Sequence, residues 1–394
     1  MPKTNHGALH GRIARELDDL RAQAQFRTLE VPGGINLCSN DYLGLAADPR
    51  LKQALLDAVA RSLLTGSTGS RLLSGNDRAW EELETEFADF AGTETALCFS
   101  SGYAANIGLL GSLLQPGDIV FSDALNHASL IDGIRLSGPA KIVYPHGDLE
   151  FLEHALREHR DAKGAKLIVT ETVFSMEGDV APLRDIVRLA QAYGAELVID
   201  EAHAIGVRGP QGRGIAAELG LERDILAIMH TCGKALASAG AVVCGSRALR
   251  DLLINRARTF LFSTAMPPYL AGQIRAALHL ARAAESERAH LRHIATALRQ
   301  ALAAAGHSFG ASTTQIVPVL LGDNETALHV AAQLQENGFA VKAIRPPTVP
   351  PGTARLRLSL TSRISLEDVR RLAAAIHTAC QSAPQTSSAS TVHA

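Results

Sequence analysis

Asp200, His203, Thr231 and Lys234 carry the side chains of this chain best suited to chemistry, and they fall in one stretch, Glu196 to Ala241. It opens Glu196-Leu-Val-Ile-Asp200-Glu-Ala-His203, crosses a glycine-rich loop, and reaches His230-Thr231-Cys-Gly-Lys234-Ala. Leu197, Val198 and Ile199 form a short apolar run, the pattern of a buried parallel strand. Asp200 then sits at the carboxyl end of that strand, where open α/β sheets keep their ligand crevice. A second apolar run, Ile225–Met229, ends just before Thr231 and Lys234. Neighbouring strands would thus bring a carboxylate, an imidazole, a hydroxyl and an amine to one edge. That set suits a pyridine cofactor held as a Schiff base, with Asp200 keeping a ring nitrogen protonated and Lys234 forming the imine.

Rival readings of the lysine fit less well. Gly233-Lys234 is not a phosphate-binding P-loop, which needs glycine where Ile228 stands and a hydroxyl residue where Ala235 stands. Gly212-Arg-Gly214-Ile-Ala-Ala217 matches a dinucleotide fingerprint in form only, because no strand precedes it. A surface lysine is the remaining alternative, but an apolar strand lies on one side and the small residues Ala235–Ala241 on the other. Desolvation there favours the uncharged amine or imine.

These words resemble those of a known family. Asp200-Glu-Ala-His203, Gly209-Pro-Gln-Gly212-Arg-Gly214 and Thr231-Cys-Gly-Lys234 are similar to the pyridoxal-phosphate-dependent α-oxoamine synthases, and the likeness extends from about residue 12 to 380. That group condenses an amino acid with an acyl thioester and releases carbon dioxide. The resemblance implies pyridoxal 5'-phosphate as cofactor. It also implies a fold-type I aminotransferase-like α/β architecture: a large domain with a mostly parallel seven-stranded sheet, plus a smaller α+β C-terminal domain.

Further positions take roles by the same resemblance. Ser100-Ser-Gly102-Tyr103-Ala-Ala-Asn106, between an apolar strand and an apolar helix, leaves backbone N–H groups at a helix N-terminus, which suits phosphate. Alone the signal is weak, since most such sequences are ordinary βα turns; the resemblance makes Gly102 and Tyr103 cofactor contacts. His127, in Asn126-His127-Ala-Ser-Leu, has no histidine or carboxylate at the spacing of a metal motif, and no metal site is expected. By resemblance it stacks on the pyridine ring and joins Lys234 and Asp200 as a catalytic residue. Ser175, in Glu171-Thr-Val-Phe-Ser175, falls near the ring hydroxyl, with His203 and Thr231 also on the cofactor. Thr264, in Phe262-Ser-Thr264-Ala-Met-Pro-Pro268, belongs to a segment reaching the partner's phosphate in a homodimer whose active site lies at the interface. In Arg345-Pro-Pro-Thr348 and Arg355-Leu-Arg357-Leu, two arginines alternate with leucine and share a face, and a guanidinium fork suits a carboxylate. A charged edge strand is the plain alternative. Resemblance assigns Arg357 to the amino-acid carboxylate, and Thr348, Asn40 and Arg27 to substrate, although Arg21 and Arg27 alone read as a solvated basic flank. This arginine-bearing run is most like that of the group's biotin-pathway branch, which implies L-alanine and either pimeloyl-CoA or pimeloyl-acyl carrier protein as substrates. Siblings that use glycine with acetyl- or succinyl-CoA, and a non-catalytic regulatory partner subunit, stay open. The chain departs from the family at Trp80, Cys232 and Ala237, where histidine, another residue and glycine are common.

The elements that must position these residues alternate. From Thr95 onward, strands and helices succeed one another, the signal of βαβ units. Strands are expected at Ala96–Phe99, Ile119–Ser122, Ile142–Tyr144, Leu167–Thr170, Leu197–Asp200, Ile225–Met229 and Ala241–Cys244. Later strands are expected at Ile316–Leu320, Ala340–Ile344 and Leu356–Leu360. Residues 8–27 read as an amphipathic helix with Leu9, Ile13, Leu17 and Leu20 on one stripe. The expected units are an N-terminal segment (1–50) joining the small domain, a large cofactor-binding domain (51–285), the small domain (286–381) and a disordered tail (382–394). Composition sets the outer limits. The 394 residues are 46% hydrophobic and 20% charged with net charge −2, so neither nucleic acid nor membrane is an indicated partner. Five scattered cysteines form no C-x-x-C pair, residues 1–6 show no signal-peptide core, and the cytoplasm is the expected location.

Overall fold

Short runs of β-branched and apolar residues become strands here because neighbours cover them on both faces. The computed structural model describes residues 8–383. Its strands are β1 (Ile35–Asn36), β2 (Thr95–Phe99), β3 (Ile119–Asp123), β4 (Ala140–Tyr144), β5 (Lys166–Glu171), β6 (Glu196–Asp200), β7 (Ala227–Thr231), β8 (Ala241–Gly245), β9 (Ile316–Gly322), β10 (Phe339–Ala340), β11 (Ala343–Ile344) and β12 (Ala354–Ser359). The large sheet has seven strands in the order β2-β8-β7-β6-β5-β3-β4. Every pair is parallel except the two made by β8. β3 and β7 are buried throughout, and β5 and β6 beyond their first residues. Two apolar cores, one on each face, cover the sheet with helices. This is the fold-type I architecture expected of the sequence.

Register decides what meets at the carboxyl edge. Glu171 pairs with Asp200 across β5 and β6, and Asp200 with Met229 across β6 and β7. The helix Gly102–Leu113 starts at the same edge after β2; the Ser101 hydroxyl caps it by accepting from the Ala104 N–H at 3.1 Å.

A second sheet, β11-β12-β9, is antiparallel. Helices Asn324–Glu336 and Leu366–Gln381 pack together beside it, the latter also against Glu285–Ala304. β1 joins this C-terminal part by pairing in parallel with β10.

Three expectations shift. The strand placed at Ile225–Met229 runs instead from Ala227 to Thr231, because Glu222–Asp224 form a 3₁₀ turn and Ile225 is buried without joining the ladder. The strand expected at Ala340–Ile344 is two separate pairs, β10 and β11, in different sheets. The first helix stops at Ala22, just before Ala24 takes a left-handed backbone, and its Leu9, Ile13 and Leu17 stripe is exposed in the single chain. Most of the expected tail, 384–394, and residues 1–6 fall outside the described residues. No helix among the described residues is long and apolar enough to cross a membrane.

Candidate active site

Lys234 lies in the loop joining β7 to β8, three residues beyond the strand that adjoins Asp200. Burial draws its amine down to about 8, while Asp200 and Glu171 pull upward and Arg357 adds to the fall. The Nζ atom is 2.6 Å from His203 Nε2. His203 is buried, and burial reinforced by the charges of Lys234 and Arg357 holds its pKa well below the ordinary histidine value. Its Nδ1 lies 2.6 Å from the Tyr42 hydroxyl, and that hydroxyl donates to Asn40 Oδ1 at 3.1 Å. Asn40 Oδ1 also accepts from Arg357 Nη1 at 3.0 Å and from the Ser359 hydroxyl at 3.2 Å. An unbroken line of polar contacts therefore runs from the Lys234 amine to the Arg357 guanidinium. A charged amine donating to Nε2 requires the Nδ1–H tautomer, which in turn donates to Tyr42; every link then has one donor and one acceptor.

Asp200 is buried, with one oxygen accepting from Asn106 Nδ2 at 2.8 Å and the other from the Ala202 N–H at 2.8 Å. No salt bridge engages it among the described residues. A buried carboxylate held only by neutral donors has capacity left for a cation, which a protonated pyridine nitrogen would supply. Asn106 also donates to Ser129 Oγ at 2.9 Å, leaving the Ser129 hydroxyl to donate to His127 Nδ1 at 2.8 Å. Nδ1 also accepts from the Ser129 N–H at 3.3 Å, so the ring proton sits on Nε2. His127 caps the helix Ala128–Ser137; its ring is exposed on one side, yet the atoms packed around it lower its pKa. Tyr103 meets that ring edge-on, centroids 6.3 Å apart, and donates its hydroxyl to Asp132.

The end of the site where β2 meets the helix Gly102–Leu113 is made of small groups. An added Cβ at Gly102 would come 3.7 Å from Thr231 Oγ1, so the helix start and the Thr231 hydroxyl face each other closely. Thr264 is exposed and shares a small cavity with Ser100 and Phe99. At the opposite end, Arg357 is buried on β12 and donates from Nε to the Ser175 carbonyl, while its Nη2 has no partner among the described residues. Ser175 thus meets Arg357 through its backbone. Arg355, on the same face, is taken by Glu177 at 3.0 Å. Of the two arginines, Arg357 is therefore the one left without an acid. Arg27 and Thr348 are exposed and meet each other, Nη2 to Oγ1 at 3.5 Å, with Arg27 also donating to the Pro346 carbonyl at 3.3 Å. Arg21 pairs with Asp18 at the surface, as a solvated flank would.

Three site residues were not singled out in the sequence. Tyr42 and Asn106 supply the links just described. Glu171, beside Asp200, is fully buried; burial first and the Asp200 charge second raise its pKa well above the carboxylate range. Their signal is position: Asn106 and Glu171 lie within motifs already quoted, and Tyr42 lies two residues from Asn40, which was assigned. The departures also have explanations. Trp80 is buried beneath the Arg71 guanidinium, which pairs with Glu84 at 2.7 Å, so it is a packing residue. Ala237 holds a left-handed backbone, φ 44°, which explains why glycine suits the position.

The donor set fits pyridoxal phosphate: an amine of depressed pKa, a buried acid free of protein cations, an imidazole face and a helix start opposed by a hydroxyl. A family profile described as aminotransferase class I and II matches residues 32–376. The chain is 47% identical over 379 residues to the 8-amino-7-oxononanoate synthase of Geobacter sulfurreducens, covering 92% of this chain and 96% of that one. It is 44% identical to the protein of the same name in Herminiimonas arsenicoxydans, over 91% and 95%. Among solved structures, an SPT with PLP internal aldimine superposes with TM-score 0.88 at 29% identity, over 95% of this chain and 99% of that one. The 8-amino-7-oxononanoate synthase of Francisella tularensis gives 0.77 at 28%, over 88% and 98%. The chain belongs to the class I and II aminotransferase family of pyridoxal-phosphate enzymes, within the branch whose curated members are named 8-amino-7-oxononanoate synthase.

Proposed function

We propose that this chain condenses L-alanine with a pimeloyl thioester, on coenzyme A or acyl carrier protein, to give 8-amino-7-oxononanoate, carbon dioxide and the free thiol. The observation that carries the reaction class is the contact line from Lys234 through His203, Tyr42 and Asn40 to Arg357. It sets an amine that can bond an aldehyde at one end and a carboxylate receptor at the other. The activity for which the relatives are named supports the choice of substrates.

When bound, pyridoxal phosphate supplies an aldehyde carbon for amine exchange and a ring that takes up the electron pair left at the amino acid's Cα. Arg357 receives the alanine carboxylate on its unpartnered edge, because its protein partners are neutral and leave its charge uncompensated. Lys234, with a pKa near the working pH, takes the Cα proton as general base. Asp200 would hold the proton on the ring nitrogen. His127 would lie against the ring, with its Nε2–H available to a carbonyl oxygen of the thioester. Gly102, Tyr103 and Thr231 would hold the phosphate, with Ser175 and His203 toward the ring hydroxyl. Thr264 would reach the phosphate of a second copy in a homodimer. Arg27 and Thr348 guide the distal carboxylate of the pimeloyl chain, with Asn40 at the amino-acid end.

Assaying purified protein with alanine and glycine against pimeloyl, acetyl and succinyl thioesters tests this directly. Alanine with pimeloyl thioester is expected to be turned over fastest. Preference for glycine would replace the proposed substrates with a sibling's, and a colourless protein that takes up no cofactor would remove the enzymatic reading altogether.

A further inference from the structure

One built cluster of charged groups lies outside the reacting residues. His146, just after β4, places Nδ1 at 3.0 and 3.2 Å from the two Asp123 oxygens and Nε2 at 2.9 Å from Asp179 Oδ2. Both ring nitrogens face carboxylates. A neutral imidazole carries one N–H and would turn a lone pair toward the other acid, so only the imidazolium satisfies both. Burial alone would lower its pKa, but the hydrogen bonds to Asp123 and Asp179 outweigh burial and raise it to about 10.

The two acids follow neighbouring strands of the large sheet, β3 and β5. Asp123 ends β3 and is fixed by the Leu125 and Gly147 N–H groups at 2.8 and 3.2 Å. Asp179 closes the hairpin Phe174–Asp179, where the Phe174 N–H donates to the Asp179 carbonyl at 3.1 Å. Phe174 also packs edge-on against the His146 ring, centroids 4.3 Å apart. That hairpin meets the C-terminal part at three points. The Ser175 carbonyl accepts from Arg357, Glu177 pairs with Arg355 at 3.0 Å, and the Gly178 carbonyl accepts from the Thr313 and Thr314 N–H groups at 3.0 and 3.1 Å. The charged neighbours of His146 are thus Asp123 from β3 and Asp179 from the hairpin, with Glu177 and then Arg355 beyond, and Tyr144 of β4 lies close to Asp123.

We propose that His146, an imidazolium clamped between Asp123 and Asp179, is a positioning residue: it fixes the hairpin whose Ser175 carbonyl orients Arg357 for the amino-acid carboxylate. The inference rests on the assignment of that carboxylate to Arg357. It predicts a defect confined to one substrate. Neutral H146Q carries no charge and offers its donors from one nitrogen only, so it cannot bridge the two acids as the ring does; the hairpin loses its tie to β3, and the direction of Arg357 is no longer fixed from that side. In the cofactor-loaded enzyme the alanine Kd should weaken about tenfold, equivalent to about 1.4 kcal/mol. The thioester KM and cofactor absorbance should hold, while the melting temperature falls because buried Asp123 loses its charged partner. D179N should weaken alanine binding in the same direction.

Spectral titration with alanine, on the wild type, H146Q, D179N, R357K and the H146Q/R357K pair, separates the possibilities. R357K should itself weaken alanine binding, and adding H146Q should cost little more, because the clamp acts through Arg357. An unchanged alanine Kd in R357K removes the carboxylate assignment on which the inference stands. A weakened R357K beside an unaltered H146Q and D179N overturns the clamp alone. Equal losses for alanine and thioester would make His146 merely structural and also overturn it. Should H146Q fail to fold, D179N and the ¹⁵N spectrum of histidine-labelled wild type decide: two protonated ring nitrogens for His146 near pH 8 support the clamp, and a neutral tautomer overturns it.

Discussion

Lys234 offers the most direct quantitative test. An exposed lysine keeps its proton to about pH 10.4, whereas burial brings this one to about 8 against the opposing pull of Asp200 and Glu171. At pH 7.5 the uncharged fraction is then about one quarter, compared with about one in a thousand for an ordinary lysine, a gain of roughly 200-fold in reactive amine. The perturbation is pH, applied to protein stripped of cofactor. Mixing it with pyridoxal phosphate between about pH 6.5 and 10.5, and following the visible absorbance of the bound form, should give a loading rate that levels off just above pH 8. Free lysine under the same conditions supplies the reference curve. The shift has a second consequence with a fixed sign. A lysine pKa lowered by folding means the folded chain releases the proton first, so apo-protein stability should rise with pH from about 8 toward the unfolded value and level beyond it. A loading rate that still climbs beyond pH 10 in step with free lysine would refute the view that burial poises this amine.

Two backbone positions give sharper stability tests. Ala237 sits at φ 44° in the Lys234 loop, and Ala237→Gly should relieve that strain and stabilise by about 0.5–1 kcal/mol in a thermal melt; a loss of stability would contradict the strain argument. Gly214 has φ 101°, and a Cβ there would stand 1.7 Å from Glu201 Oε2. Glu201 is fully buried, with Oε1 accepting from the Ala216 N–H at 2.9 Å, so it has little room to yield. Gly214→Ala should therefore destabilise by more than about 2 kcal/mol, and an unchanged melting temperature would show that the loop bends freely.

Much of the large sheet is legible in the sequence because its strands are buried on both faces and read as uninterrupted apolar runs. The β7 boundary is not legible for the same reason: Ile225 is as apolar as its neighbours, and only the 3₁₀ turn at Glu222–Asp224 excludes it from the ladder. Periodicity likewise places an amphipathic helix at the start of the chain without revealing that its stripe finds no cover within one copy. At the site, Asp200 and Lys234 follow from the strand ends that carry them. The links between assigned residues do not. Tyr42 meets His203 across 161 residues and Arg357 meets Asn40 across 317, and no local pattern encodes either contact. The His146 clamp is hidden in the same way, since its two acids are distant from each other in the chain.

The two-residue ladder between β1 and β10 determines which layer carries which part of the site. Leu37 continues it, donating to the Ala340 carbonyl at 3.0 Å, and the Leu37 carbonyl accepts from Ser359 at 2.9 Å. Asn40 and Tyr42 therefore hang from the same layer as Arg357, although some three hundred residues separate them in the chain. His203 and Lys234 hang from the other. Along the line from Lys234 to Arg357 the crossing between the two layers is thus the Tyr42–His203 hydroxyl–imidazole contact. It is flanked by Gln315 donating to the His203 carbonyl at 2.9 Å and by Arg357 on the Ser175 carbonyl. Any slip of one layer over the other would break that line at its hydroxyl–imidazole step.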